Sequence, residues 1–137
     1  VIEMGAEPVW IEEEARPLYH AALAVGANHL VTLVAQSADM LVQAGVEQPS
    51  RMLGPLLGAA LDNALRRGDL ALTGPVARGD AGTVRAHLAT LDTPESVAAY
   101  VAMSRLTAVR ALAAGVLSAE GAEALLDVLA GRGGETS

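Results

Sequence analysis

A long uninterrupted helical segment constrains this chain more than any other feature. Pro17 suits the first turn of a helix, and we place no helix end before Gly45. The segment between them leaves no broad polar face, which places it either at the centre of a bundle or in a membrane. Polar residues interrupt it too often for a transmembrane helix, so we expect a buried central helix. They are Tyr19, His20, Asn28, His29, Thr32 and Gln36.

Composition predicts an all-α helical bundle around that helix. The 137 residues are enough for one core, and 52% of them are hydrophobic with no Phe, one Trp and two Tyr, which favours tightly packed helices. A net charge of −7 argues against a nucleic-acid partner. The chain has no Cys, and its acidic run has no histidine at ligand spacing, so we expect no metal. All nine basic residues are Arg, so no lysine can act as proton donor.

The first 14 residues read as the end of a different domain. Residues 1–4 predict the last turn of a helix, with Gly5 in the left-handed position that follows it. Residues 8–11 predict a short β-strand, and a helix that feeds a strand is typical of an α/β unit. We therefore expect 1–14 to be the remnant of a missing α/β domain with its linker, and 15–137 to be the helical domain. The alternative is a frayed terminus.

Further helices are predicted after Gly45. The second begins at Pro49 and runs to about Gly68, with a kink or restart at Pro55. Residues 73–79 are too broken by glycine and proline for a helix. Three more helices follow, one from the N-cap Asp80 to Leu91, one from residues 92–95 to Gly115, and one capped by Ser118.

Two polar residues of the long helix are candidates for chemistry. His20 and Asn28 stand eight residues apart, which is about 80° around an α-helix. At that spacing they can line one side of a cleft as a proton-carrying and hydrogen-bonding pair. The alternative is that both are interior polar residues satisfied by neighbouring backbone. His87 is interpreted as a surface residue, and Tyr100 as a packing residue or one that faces a partner subunit.

The glycine-rich residues 73–80 are the other candidate. Their turns can expose backbone N–H groups to an anion, with Arg78 as a charged clamp and Asp80 opening a helix. The spacing matches neither a phosphate-binding P-loop nor a dinucleotide fingerprint. The alternative is a plain connection between helices.

Several strings in the chain resemble one known family. They are Pro17-Leu18-Tyr19-His20-Ala21-Ala22, Ala27-Asn28-His29-Leu30-Val31, Asn63-Ala64-Leu65, and Leu72-Thr73-Gly74-Pro75-Val76-Ala77-Arg78-Gly79-Asp80 with Val84 and His87-Leu88. Together they resemble, over roughly residues 5–117, the C-terminal half of a family of Rossmann-like oxidoreductases, a half catalogued as a domain of unknown function. The overall plan is similar to ketopantoate reductase, pyrroline-5-carboxylate reductase and the wider 6-phosphogluconate dehydrogenase-like group.

The resemblance implies roles for residues of both candidates. Asn28 matches the Asn that follows a catalytic Lys in ketopantoate reductase, but Ala24 stands where that Lys would be. The lysine mechanism is therefore not carried over, and His20 is the nearby group that would replace it as an acid. Thr73-Gly74-Pro75 would be the counterpart of a glycine-rich loop that holds the substrate carboxylate in pyrroline-5-carboxylate reductase. We therefore assign Thr73, Gly74 and the charged clamp Arg78 to substrate binding.

The resemblance also implies the cofactor and partners. NADP or NAD would be bound mainly by the missing N-terminal Rossmann domain, so this chain alone would be inactive. We expect a cytoplasmic homodimer, formed through the helical domain, that reduces a small 2-oxo acid or imine, without nucleic acid or membrane as partner. The alternatives are a non-catalytic helical interaction module and a small-ligand sensor, either of which kept the fold and lost the chemistry.

Overall fold

The computed structural model describes residues 9–132, and every regular element in them is helical. The all-α prediction is confirmed. The strand expected over residues 8–11 is wrong for its described part, because residues 9–11 lie in no strand. A lone extended segment has no neighbour with which to form a ladder of hydrogen bonds. The helical turn predicted over residues 1–4 lies outside the described residues.

The chain divides into two compact units, one up to Leu57 and one from Gly58. The first contains a continuous helix of 31 residues, Glu13–Gln43. It begins with a 3₁₀ turn, Glu13–Ala15, and continues as α1 (Arg16–Leu23), a π-helical turn (Ala24–Asn28) and α2 (His29–Gln43). Helix α3 (Pro49–Arg67) begins in this unit and extends past its boundary.

Gly45 ends the long helix as predicted. It adopts a φ of 98°, a left-handed conformation that only glycine accepts without strain. The Gly45 N–H donates to the Val42 carbonyl at 3.0 Å, and the Val46 N–H donates to the Leu41 carbonyl at 2.9 Å. This pair of bonds is the Schellman motif, which satisfies carbonyls that the end of a helix leaves unpaired.

The expected burial of the long helix is wrong for the single chain. No residue of α1, the π-helical turn or α2 is buried, although the most apolar stretch of 18 residues has a mean hydropathy of 1.4. By length and composition alone this stretch is long and apolar enough to cross a membrane. Within this unit α3 contributes one buried residue, Leu53.

The second unit holds the remaining helices. After α3 come a 3₁₀ turn (Gly68–Ala71), the one-turn helix α4 (Gly74–Ala77), α5 (Ala81–Thr90), α6 (Pro94–Ala113) and α7 (Ala119–Leu129). The caps that the sequence predicts are confirmed. Asp80, Thr93 and Ser118 each accept a hydrogen bond from the backbone N–H three residues on.

Two predicted breaks differ from the structure. Helix α3 passes Pro55 without restarting, although that residue lacks the N–H that would pair with the Arg51 carbonyl. Residues 73–79 contain the turn α4, which Gly74 opens at a φ of 88° and Pro75 continues with a helical φ.

The hydrophobic core of the second unit forms where α7 packs against α5 and α6, and α4 against both of these helices. Val84 and Leu125 are its largest fully buried side chains. Small residues let the helices approach closely, as the alanine-rich sequence predicts. The other core members are Val76, Ala77, Ala108, Ala111, Leu117, Ala122, Val128 and Leu129.

Candidate functional sites

The long helix of the first unit presents an extensive apolar surface. Leu18 is 75% exposed and Val31 is 70% exposed, so the apolar surface extends along much of its length. Exposed apolar surface on this scale marks a site of association rather than an ordinary surface. The other large apolar side chains exposed on it are Leu23, Val25, Leu30, Leu33, Met40 and Val42.

The π-helical turn changes the relation between His20 and Asn28. The turn spans Ala24–Asn28 and therefore lies between them. A π-turn adds one residue to a helical turn, so the two residues are separated by the rotation of about seven α-helical steps rather than eight. That reduces their angular separation from about 80° to about 20°. His20 and Asn28 thus lie almost in line along one side of the helix, and π-turns frequently occur at functional sites.

Neither of these two side chains is held in place within residues 9–132. His20 and Asn28 are exposed and make no side-chain hydrogen bond there. The centroid of the Tyr19 ring lies 5.6 Å from that of the His20 ring. The structure therefore aligns the pair but does not orient it, and their catalytic role stays a prediction.

An open apolar groove lies between α2 and the start of α3, with a volume of about 290 Å³. Its polar lining consists of little more than Ser50. None of the predicted site residues lines it. Its walls are Val34, Ala38, Pro49, Ser50, Leu53, Gly54 and Leu57.

In the loop around α4, backbone amides donate hydrogen bonds to carbonyls of the same loop. The Arg78 N–H donates to the Gly74 carbonyl, and the Gly79 N–H donates to the Val76 carbonyl, both at 3.1 Å. The Asp80 N–H donates to the Pro75 carbonyl at 2.8 Å. These amides are therefore not available to an anion. What the loop offers from the predicted set is the exposed Thr73 side chain, the Gly74 backbone and the exposed Arg78 guanidinium.

The close packing of the loop explains Gly79. Its φ is 73°, and a Cβ added there would lie 3.1 Å from both the Gly121 Cα and the Leu117 Cδ1. Gly121 lies in α7, so the loop and α7 approach within a distance that only glycine permits. Gly79 belongs to one of the strings that carry the family resemblance, so part of that string has a structural role.

Helix α5 carries a polar cluster that the sequence interpretation missed. His87 Nδ1 lies 2.9 Å from the Tyr100 hydroxyl of α6, and the two rings meet edge to face with centroids 5.9 Å apart. His87 is exposed, as predicted, and it is also linked to Tyr100, which the sequence did not predict. Asp80, Thr83 and His87 follow a spacing of three and four residues, which places them on one face of α5. From that spacing the sequence could have predicted a polar face on this helix.

Electrostatics around this cluster are set by hydrogen bonds and by burial. Thr83 lowers the pKa of Asp80, first through its hydroxyl at 2.7 Å and then through its N–H at 3.1 Å. The charges of Arg78 and His87 act in the same direction. Burial raises the pKa of the Tyr100 phenol, and the Ser104 hydroxyl opposes that rise. Ser104 is buried, so the cluster extends inward to the core.

The predicted site residues fall into both units. His20 and Asn28 belong to the first, and Thr73, Gly74 and Arg78 belong to the second. Among residues 9–132, no group of three or more His, Cys, Asp or Glu side chains is arranged to hold a metal ion.

A family model described as "Domain of unknown function (DUF2520)" matches residues 1–107, which is most of the chain. No curated protein and no solved structure matches it.

Proposed function

The chain belongs to the DUF2520 family of domains of unknown function, and from that premise we propose that it is the helical dimerisation and substrate-cleft domain of an NAD(P)-dependent oxidoreductase. The exposed long helix is the observation that supports dimerisation. A 31-residue helix with an apolar stretch of mean hydropathy 1.4 and no residue buried inside the chain requires a covering partner in water. A second copy of the chain offers the same apolar surface and is present at equal concentration.

Dimerisation has to cover more than one side of this helix. Its exposed apolar residues are distributed around much of the axis, whereas one helix-to-helix contact covers only a stripe. Two copies that interdigitate their long helices would cover more of it. His20 and Asn28 would then line a cleft beside the interface as proton donor and orienting group for a small 2-oxo acid or imine.

The glycine-rich loop around α4 does not fit a dinucleotide. Helix α4 has four residues, and the amides of Arg78, Gly79 and Asp80 are bonded within the loop, so this loop offers no cradle for a pyrophosphate. The proposal therefore assigns NADP or NAD to another part of the full-length protein. This chain would contribute binding, orientation of the substrate and proton delivery.

Light scattering at micromolar concentration tests the dimer. We expect a dimer for the unmodified chain and a monomer for Val31→Glu, because a charge in the middle of a covered apolar surface is strongly unfavourable. Val109→Glu is the matched control, since Val109 is 64% exposed on α6 and belongs to the second unit. It should leave the dimer intact. A compact monomer of the unmodified chain would contradict the proposal, and flotation with lipid vesicles would then show whether the helix binds membranes instead.

Enzymatic activity tests the other part of the proposal, that the chain lines the substrate cleft of an oxidoreductase. The full-length protein should oxidise NADPH or NADH with one member of a panel of small 2-oxo acids and cyclic imines. A protein that dimerises but neither binds the nucleotide nor turns over any of these compounds would favour a non-catalytic interaction module. Nucleotide and ligand binding without turnover would favour a small-ligand sensor.

A further inference from the structure

The π-helical turn Ala24–Asn28 rearranges the faces of the whole long helix. An uninterrupted α-helix would spread the polar residues over more than half of its circumference, which is why the sequence shows no broad polar face. The extra residue of the π-turn rotates the segment after it back by about 100°. Most polar residues of the helix then fall in one sector of about 120°, the polar stripe. The polar stripe consists of Arg16, His20, Asn28, His29, Thr32, Gln36, Asp39 and Gln43.

The exposed apolar residues of the long helix occupy the opposite side. With the same rotation, all of those named above, from Leu18 to Val42, fall in a sector of about 200°, the apolar face. Leu18 and Leu30, which belong to the two halves of the helix, come almost into line near its middle. These side chains together expose on the order of 800 Å², the area that each partner contributes to a standard interface between proteins.

The charges indicate that protein rather than lipid covers the apolar face. A helix that lies on a membrane surface is rich in Lys and Arg on its polar side, whereas the polar stripe contains one Arg and one Asp. The net charge of the chain is −7, so an anionic membrane would repel it. A second copy of the chain carries an apolar face of the same size and shape.

Gly26 lies near the middle of the apolar face, and its own chain does not require a glycine there. Its φ is outside the left-handed region, and an added Cβ would meet no atom of the described residues within 4 Å. A glycine inside a helix is destabilising relative to alanine. Without a Cβ it lets another helix approach the backbone closely, and Ala22, one turn earlier on the same face, is also small.

The acidic run before α1 distinguishes the two orientations that a pair of these helices can take. A parallel pair would bring Glu12, Glu13 and Glu14 of one copy toward the same three residues of the other, and like charges repel. It would also align the two helix dipoles. An antiparallel pair that crosses at Gly26 separates the two acidic runs by about 40 Å, at 1.5 Å per residue.

We propose that the π-helical turn joins the two halves of the long helix into one apolar face, and that this face packs antiparallel against the same face of a second copy, with the crossing at Gly26. The inference rests on the proposed dimer and specifies its face, its orientation and its crossing point. The polar stripe stays uncovered on each copy. His20 and Asn28 therefore remain open to a small molecule that arrives from solvent.

Distances between spin labels, measured by pulsed electron paramagnetic resonance on the full chain, test the orientation. The chain has no Cys, so Gln36→Cys and Gln43→Cys each carry a single label per copy, on the uncovered polar stripe. In the antiparallel pair the two labels should lie about 30 Å apart at position 36 and about 50 Å apart at position 43. In a parallel pair both distances would be below about 25 Å.

Two variants test the crossing point, with sedimentation used to measure the Kd of the dimer. Gly26→Leu should raise that Kd about tenfold or more, because the larger side chain separates the two helices. Gly58→Leu is the matched control, since Gly58 is an exposed glycine of α3 whose added Cβ also meets no described atom within 4 Å. It belongs to the second unit and should leave the Kd unchanged.

Deletion of Ala27 tests the role of the π-helical turn. The helix can then continue as a regular α-helix, which rotates α2 by about 100° relative to α1 and divides the apolar face. The Kd of the dimer should again rise about tenfold or more. Circular dichroism verifies that the deletion variant and Gly26→Leu keep their helix content.

The outcomes separate this inference from the proposed function. Short distances at both labelled positions, a dimer without coupling between the labels, or a Kd that neither Gly26→Leu nor the deletion changes would each overturn the inference and leave the dimer intact. A monomeric unmodified chain would contradict the proposed dimer and this inference together. An antiparallel dimer in a full-length protein that turns over nothing would support the inference and contradict only the reductase.

Discussion

The long helix of the first unit and helix α7 of the second are both strongly apolar, but only α7 has residues that are buried within the chain. Helix α7 buries Ala122, Leu125, Val128 and Leu129 in only 11 residues. The 31-residue helix buries none. The difference lies in the neighbours, since α5 and α6 pack against α7. Apolar content therefore predicts that a surface will be covered, but not whether the same chain covers it.

His20 and His87 show the same contrast. His20 lies on the uncovered helix without a hydrogen-bond partner in the described residues, whereas His87 is bonded to Tyr100, which packs against a core. A side chain at a partly buried contact is oriented by its own chain. A side chain on an uncovered helix is oriented only when a partner or a ligand arrives.

The largest expected effect concerns His20. If it is the proton donor of the reaction, His20→Ala in the full-length protein should lower turnover roughly 10²–10⁴-fold, the range for a lost acid–base group. Its melting temperature should change little, because His20 is exposed and bonded to nothing in residues 9–132. Rate and melting temperature are measured on the same preparation. Unchanged turnover would remove His20 from the mechanism, and a loss that tracks stability would indicate a structural role.

The next effect compares a buried leucine with an exposed one. Leu125→Ala should lower the free energy of unfolding by about 2–5 kcal/mol, since Leu125 is fully buried and its loss leaves a cavity. Leu18→Ala on the long helix should cost less than about 1 kcal/mol at protein concentrations where the chain is monomeric, because Leu18 is 75% exposed. Urea unfolding followed by circular dichroism measures both. Equal losses in the monomer would mean that the long helix is covered within its own chain.

The smallest effect tests the contact between the α4–α5 loop and α7. Gly79→Ala should destabilise the chain by about 1–3 kcal/mol, since its Cβ would meet Gly121 at 3.1 Å in a left-handed conformation. Gly82→Ala is the control, because Gly82 lies in α5 and the nearest atom to its added Cβ is 3.8 Å away. That change should stabilise the chain by about 0.5 kcal/mol. Thermal unfolding measures both, and a neutral Gly79→Ala would show that the loop and α7 can separate at little cost.

Local features of this protein follow directly from the sequence. The capping residues Asp80, Thr93 and Ser118 and the terminator Gly45 act within a few residues of themselves, so the sequence predicts them well. The short helix α4 was missed because its proline and glycines are read as breaks, although Pro75 suits a first turn. The π-helical turn was missed too, and Gly26 at its centre is its one visible signal.

The sequence by itself determined the helical class, the caps and the apolar character of each helix, because these depend on propensity and periodicity along the chain. Tertiary structure decided which apolar faces are buried and which polar residues meet. The contact between His87 and Tyr100 joins residues of two helices, and the approach of Gly79 to Gly121 joins a loop to a third. Such contacts depend on how helices pack against one another, and spacing along a single helix does not specify that packing.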